Sequence, residues 1–129
     1  MNGRLLLDSN AVVALFRQDA GIRKLLAAAT EVFLPITVVG ELHYGADCSA
    51  RPAENHLQVD QFAASNTVLL CDLSTAGQYG QIKYKLRLKG RPIPENDIWI
   101  AAVAVQRGLT LISRDQHFGE VEGLTVESW

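Results

Sequence analysis

An α/β fold built around a parallel sheet is what this chain predicts, and three observations point to it. Short apolar runs at residues 5–7, 32–34, 68–70 and 109–112 alternate with longer helix-like stretches, the pattern of βαβ units. The runs are continuous rather than alternating, as strands buried on both faces require. The segment Ile98-Trp99-Ile100-Ala101-Ala102-Val103-Ala104-Val105 is apolar almost all round. Such a helix is buried in the protein or at an oligomer interface, and this one is too short to span a membrane.

Taken in order, the first strand ends at Asp8 and leads into helices over 10–16 and 21–29. The second strand, 32–34, runs into a helix over 37–45 for which Thr37 is a candidate N-cap. The polar interruption over 47–55 reads as a loop before a helix over 53–65. After the strand at 68–70 comes a long helix over 75–89, with Ser74 as its candidate cap. Gly90 followed by Arg91-Pro92 stops that helix, because glycine favours a left-handed cap and proline disfavours helix just before itself. Gly108 closes the apolar helix over 97–107 in the same way. The strand at 109–112 follows, and a short strand near 124–127 ends the chain.

Composition sets the outer bounds. A chain of 129 residues fits one domain, 1–129, with a real hydrophobic core and no need of disulfides. Its 48% hydrophobic and 20% charged residues exclude a disordered chain. A formal charge of -2 gives no global attraction to nucleic acid, so any such affinity must be local. Cys48 and Cys71 lie far apart without a CxxC pair, which argues for free thiols in a reducing cytoplasm over a disulfide framework or a cysteine zinc site. The three leucines before Asp8 fall far short of a signal-peptide core or a membrane span, so a cytoplasmic protein is expected.

The chemistry is concentrated in four acids. Asp8, Glu41, Asp97 and Asp115 each stand where an apolar run meets a turn or a helix start. In open α/β sheets, ligands bind beyond the carboxyl ends of the strands. Asp8 and Asp115 follow strands directly, Glu41 lies early in the helix after the second strand, and Asp97 opens a helix that must run antiparallel to the strand it feeds. All four are therefore expected on one edge. Bare carboxylates packed together repel, and a divalent cation removes the conflict. Oxygen donors select magnesium or manganese, metals that activate water for phosphodiester hydrolysis.

In their order and flanks, Leu6-Leu7-Asp8-Ser9-Asn10, Asn96-Asp97-Ile98-Trp99-Ile100-Ala101-Ala102 and Leu111-Ile112-Ser113-Arg114-Asp115-Gln116-His117-Phe118 resemble the PIN-domain ribonucleases of the VapC toxin type. That resemblance implies a three-layer α/β/α sandwich with a central, mostly parallel sheet, and a homodimer. It also implies a Mg2+- or Mn2+-dependent endoribonuclease held inactive by a small VapB-like antitoxin, with tRNA or another structured RNA as substrate. Carried over by residue, Asp8 and Asp97 become the principal metal ligands, with Asp115 a further direct or water-mediated one. Glu41 binds a second metal or orients the attacking water. Ser113 is expected to hydrogen-bond a metal-bound water, and Asn10 either orients Asp8 or caps its helix. Ser9 stands where threonine is common, and His117 stands where many relatives carry an acid. A nuclease working without an antitoxin, or a metal-binding module without turnover, would share much of this pattern.

The remaining candidates are weaker. Lys83, Lys85, Arg87, Lys89 and Arg91 place five of the 12 basic side chains within nine residues and could hold RNA phosphates. Their period-two spacing spreads them around a helix, so a solvated face explains them equally well. Glu95 reads as a solvated carboxylate near a helix start or an extension of the metal site. His43, His56 and His117 read as structural, exposed or turn residues, since a lone histidine is weak evidence of a ligand. The apolar stretches 22–29 and 38–44 could line a groove for an antitoxin helix.

Overall fold

In the computed structural model, residues 3–129 are described. The strands β1 (Arg4–Leu7), β2 (Glu31–Pro35), β3 (Thr67–Leu69), β4 (Thr110–Ile112) and β5 (Val126–Glu127) form one sheet. Its order is β3-β2-β1-β4-β5, and every neighbouring pair is parallel. In register, Leu6 of β1 stands beside Phe33 of β2 on one side and Leu111 of β4 on the other. Leu5, Leu6 and Leu7 are all 0% exposed. Successive strand residues face opposite ways, so helices must cover both faces of the sheet, as the predicted α/β/α sandwich requires.

Eight-residue helices α1 (Ser9–Phe16) and α2 (Ala20–Ala27) join β1 to β2. The hairpin of α3 (Ile36–Asp47) and α4 (Pro52–Ala64) joins β2 to β3, and α5 (Leu73–Leu88) with α6 (Glu95–Arg107) joins β3 to β4. The chain thus adds β2 and β3 on one side of β1, then returns to add β4 and β5 on the other. That reversal makes β1 and β4 the topological switch point, where a crevice opens beyond the strand ends. The apolar helix α6 is buried as expected, with Ile98 and the run Ile100, Ala101, Ala102, Val103 and Ala104 all in the core. No helix among the described residues is long and apolar enough to cross a membrane.

Two expected caps are not the observed ones. Helix α3 begins at Ile36 straight after Pro35, which leaves Thr37 inside the first turn with no capping hydrogen bond. Helix α5 is capped by Asp72 and not by Ser74. The Asp72 carboxylate accepts from Thr75 N at 3.0 Å while Thr75 Oγ1 accepts from Asp72 N at 2.9 Å, a reciprocal box that starts the helix two residues earlier. Helix α4 likewise starts at Pro52, inside the expected loop, since proline suits a first helical position. The 3-10 turn Gln116–Glu120 was not anticipated. It is opened by Asp115, whose side chain accepts from His117 N, and anchored by Phe118 at 0% exposure.

Candidate metal centre

Each acid reaches the carboxyl edge of the sheet through a local device. Asp8 is the residue after β1: its backbone N–H donates to Ile112 O at 3.1 Å, and its side chain caps α1 by accepting from Ser9 N at 2.8 Å. The strand thereby delivers the carboxylate to the switch point, 4% exposed. Asp97 sits in the first turn of α6 at 8% exposure, where the positive end of the helix dipole favours a negative charge. Asp115 opens the 3-10 turn after β4.

Ser113, 2% exposed, ties the edge together. Its hydroxyl donates to Asp8 Oδ2 at 2.6 Å and accepts from Asp115 N at 3.0 Å and from Asn10 Nδ2 at 3.3 Å. One donor and two lone pairs are thus all engaged, which leaves no capacity for the expected contact with a metal-bound water. Asn10 lies inside the first turn of α1, two residues past the cap. It acts on Asp8 through Ser113, and its Oδ1 also accepts from Arg114 N at 3.4 Å.

His117 enters the cluster. Its Nδ1 stands 2.9 Å from Asp115 Oδ1 and 3.4 Å from Asp97 Oδ2, and a ligand atom from each of these three residues falls within 4.8 Å of the others. No sequence period marks it; the 3-10 turn opened by Asp115 brings the second residue after it back over its own cap. Glu95, two residues before Asp97, turns away and binds Tyr79 Oη at 2.5 Å and the Lys83 ammonium.

Electrostatics mark the cluster as strained. Burial is the largest cause raising Asp8, with the Asp115 charge adding to it and hydrogen bonds from Ser113 and Ser9 opposing it. Asp97 is raised by burial first, then by the charges of Asp8 and Asp115, while His117 pulls it back. Glu41 is pushed up to about 7 by burial and by Asp8 and Asp97. One of its oxygens, Oε1, is buried without a hydrogen-bond partner, and so is Thr37 Oγ1 one turn earlier on the same helix face. Thr37 was expected only as a cap; its spacing of four residues from Glu41 is the sequence signal that could have placed it here.

These features fit a divalent cation. A buried, unpaired carboxylate oxygen and mutually repelling acids gain both a partner and a neutralising charge from one. Asp97, Asp115 and His117 are able to coordinate such an ion.

The candidate phosphate-binding residues are partly paired with acids. Lys83 pairs with Glu95, Lys85 with Glu122 at 3.8 Å and Lys89 with Glu120 at 3.4 Å, so acids from three other segments take up three of the five charges. Arg87 and Arg91 are exposed. A groove of about 980 Å3 runs from Glu41, Ser9 and Asn96 along α1, α3 and α4, lined by Val13, Phe16, Leu42, Tyr44 and Val59 among others. Its second wall is α1 and not the stretch 22–29, whose Ile22, Leu25 and Leu26 pack into the core.

Residues 5–124 match the family model described as PIN domain. Ribonuclease VapC2 of Haemophilus influenzae is 32% identical over 129 residues, covering 98% of each chain. The tRNA(fMet)-specific endonuclease VapC of Shigella flexneri is 37% identical over 90 residues, 69% of this chain and 68% of that protein. The DNA-bound VapBC crystal structure from Salmonella typhimurium superposes with a TM-score of 0.89 at 29% identity, covering 98% of each chain.

Proposed function

The chain belongs to the PIN-domain family, as a relative of the VapC ribonuclease toxins, and on that premise we propose that it is a metal-dependent endoribonuclease acting as the toxin of a toxin-antitoxin pair. The observation that carries the reading is the convergence of Asp8, Glu41, Asp97 and Asp115 at the switch point, with one buried carboxylate oxygen left unpaired. Asp8, Asp97 and Asp115 would hold Mg2+ or Mn2+. The three carboxylates favour this pair, and the His117 nitrogen tilts the site toward manganese. When bound, such a cation supplies Lewis-acid stabilisation of phosphate charge and a lowered pKa for water.

The remaining steps belong to the protein. Glu41, beside Asp8 and Asp97, is suited to take the proton of the attacking water at its unpaired Oε1. The Thr37 hydroxyl stands one turn away to orient that water. Ser113 fixes the Asp8 rotamer and is in turn held by Asn10 and Asp115 N. Attack at phosphorus leaves a 5′-phosphate on one fragment and a 3′-hydroxyl on the other. Structured RNA such as tRNA is the substrate class, and Arg87 and Arg91 are the members of the basic segment free to meet its backbone. The groove beside Glu41, walled by Val13, Phe16, Leu42 and Val59, takes an apolar helix of the antitoxin. The protein works as a homodimer.

The test is cleavage of purified tRNA and total RNA by antitoxin-free protein, with manganese, magnesium or chelator, beside Asp97→Asn prepared identically. Metal-dependent cutting is expected from the wild type alone, with a loss of more than about a hundredfold in the variant, which remains folded. Equal cutting by both proteins overturns the assignment.

A further inference from the structure

The α3–α4 hairpin carries two matching pairs, His43 with Asp47 on α3 and His56 with Asp60 on α4, each spaced by four residues. Packing of the two helices crosses them. His56 Nε2 meets Asp47 Oδ1 at 2.7 Å, and His43 Nε2 meets Asp60 Oδ1 at 3.3 Å. The two Nδ1 atoms then face each other 2.7 Å apart, with the rings 23° from parallel. An ionised carboxylate only accepts, so His56 Nε2 donates to Asp47, and His43 Nε2 lies against Asp60. With both rings neutral and protonated on Nε2, the two Nδ1 lone pairs face each other, an arrangement that calls for a proton or a metal ion between them. A carboxylate on the far nitrogen is also the arrangement that fixes the tautomer and raises the basicity of metal-ligating histidines.

We propose that His43 Nδ1 and His56 Nδ1 form a second metal site, separate from the acid cluster, that takes a borderline divalent transition metal such as zinc. The donors decide the class, since imidazole nitrogen suits zinc, nickel and copper whereas the carboxylates of the acid cluster suit magnesium and manganese. Tetrahedral zinc holds two nitrogens about 3.3 Å apart, about 0.6 Å wider than the present 2.7 Å. The side chains are 33% and 31% exposed, which leaves the rings room to swing and lets water complete the coordination. The ion cross-links α3 to α4 beside Tyr44, Asn55 and Gln58, which wall the groove. It stiffens that wall and takes no part in hydrolysis.

The experiment is a calorimetric titration of zinc alone into the full chain carrying Asp97→Asn, which weakens the acid cluster. The same titration is repeated with His56→Gln, His43→Gln, Asp47→Asn or Cys48→Ser added. One zinc per chain is expected, lost in either histidine variant, weakened about tenfold by Asp47→Asn and unchanged by Cys48→Ser. Amide exchange in α4 should slow on adding zinc only where both histidines remain, a readout that also reports whether each variant is folded. Absence of bound zinc in the folded protein means the rings share only a proton and overturns the site. Binding that survives His56→Gln, or that is lost with Cys48→Ser instead, overturns it equally.

Discussion

Glu41 bears a burden that a cation would lift. Burial first, and then the charges of Asp8 and Asp97, push its carboxyl up to about 7 from an ordinary 4.5. Between those values the folded protein keeps a proton that the unfolded chain has released, so stability falls as pH rises across that window. Metal-free protein is therefore expected to lose stability between pH 4.5 and 7 through this group, and Glu41→Gln to reduce that dependence. Denaturant melts in chelator across that range check it. A second residue-scale prediction concerns Ser113, whose hydroxyl is the donor to Asp8 Oδ2. Ser113→Ala leaves Asp8 without that bond and should weaken manganese binding about tenfold, measured by calorimetry. The acids were legible because each stands where an apolar run meets a turn or a helix start. His117 was not, since its approach to Asp97 and Asp115 depends on a five-residue 3-10 turn with no hydrophobic period of its own. Thr37 was legible as a polar residue at a helix start, but its unpaired hydroxyl beside Glu41 depends on where that start falls.

At the scale of elements, punctuation residues outperformed the boundaries drawn around them. Gly108 adopts φ +64 as the left-handed cap of α6, and a Cβ there would meet nothing within 4 Å. Gly108→Ala should therefore cost only the backbone term, about 1 kcal/mol, read as a lowered denaturation midpoint with unchanged slope. Strands β1 and β4 were readable as apolar runs because both faces of the sheet are covered. The starts of α3 and α5 were misplaced because several residues in a row could cap. Pro35 preset the turn before α3, and the Asp72–Thr75 box outcompeted a lone Ser74 before α5.

The whole molecule explains why a chain of net charge -2 can still be organised for nucleic acid. Its acids are gathered at one edge, where a cation reverses their effect. Part of the apparent basic patch is spent internally: Lys83, Lys85 and Lys89 hold α5 to Glu95, Glu122 and Glu120. Period-two spacing hinted at this dispersal, but which acids would answer those lysines depends on tertiary packing. Lys85→Ala is accordingly expected to leave RNA affinity within about twofold, whereas Arg87→Ala combined with Arg91→Ala should weaken it and flatten its salt dependence, by filter binding on Asp97→Asn protein. The most direct measurement is titration of manganese into metal-free wild type and Asp97→Asn near pH 7.5, followed by calorimetry. Saturable binding by the wild type, weakened at least about tenfold in the variant, is the predicted result. Equal binding by both proteins, or none by either when folded, would contradict the claim that these acids converge to hold a cation.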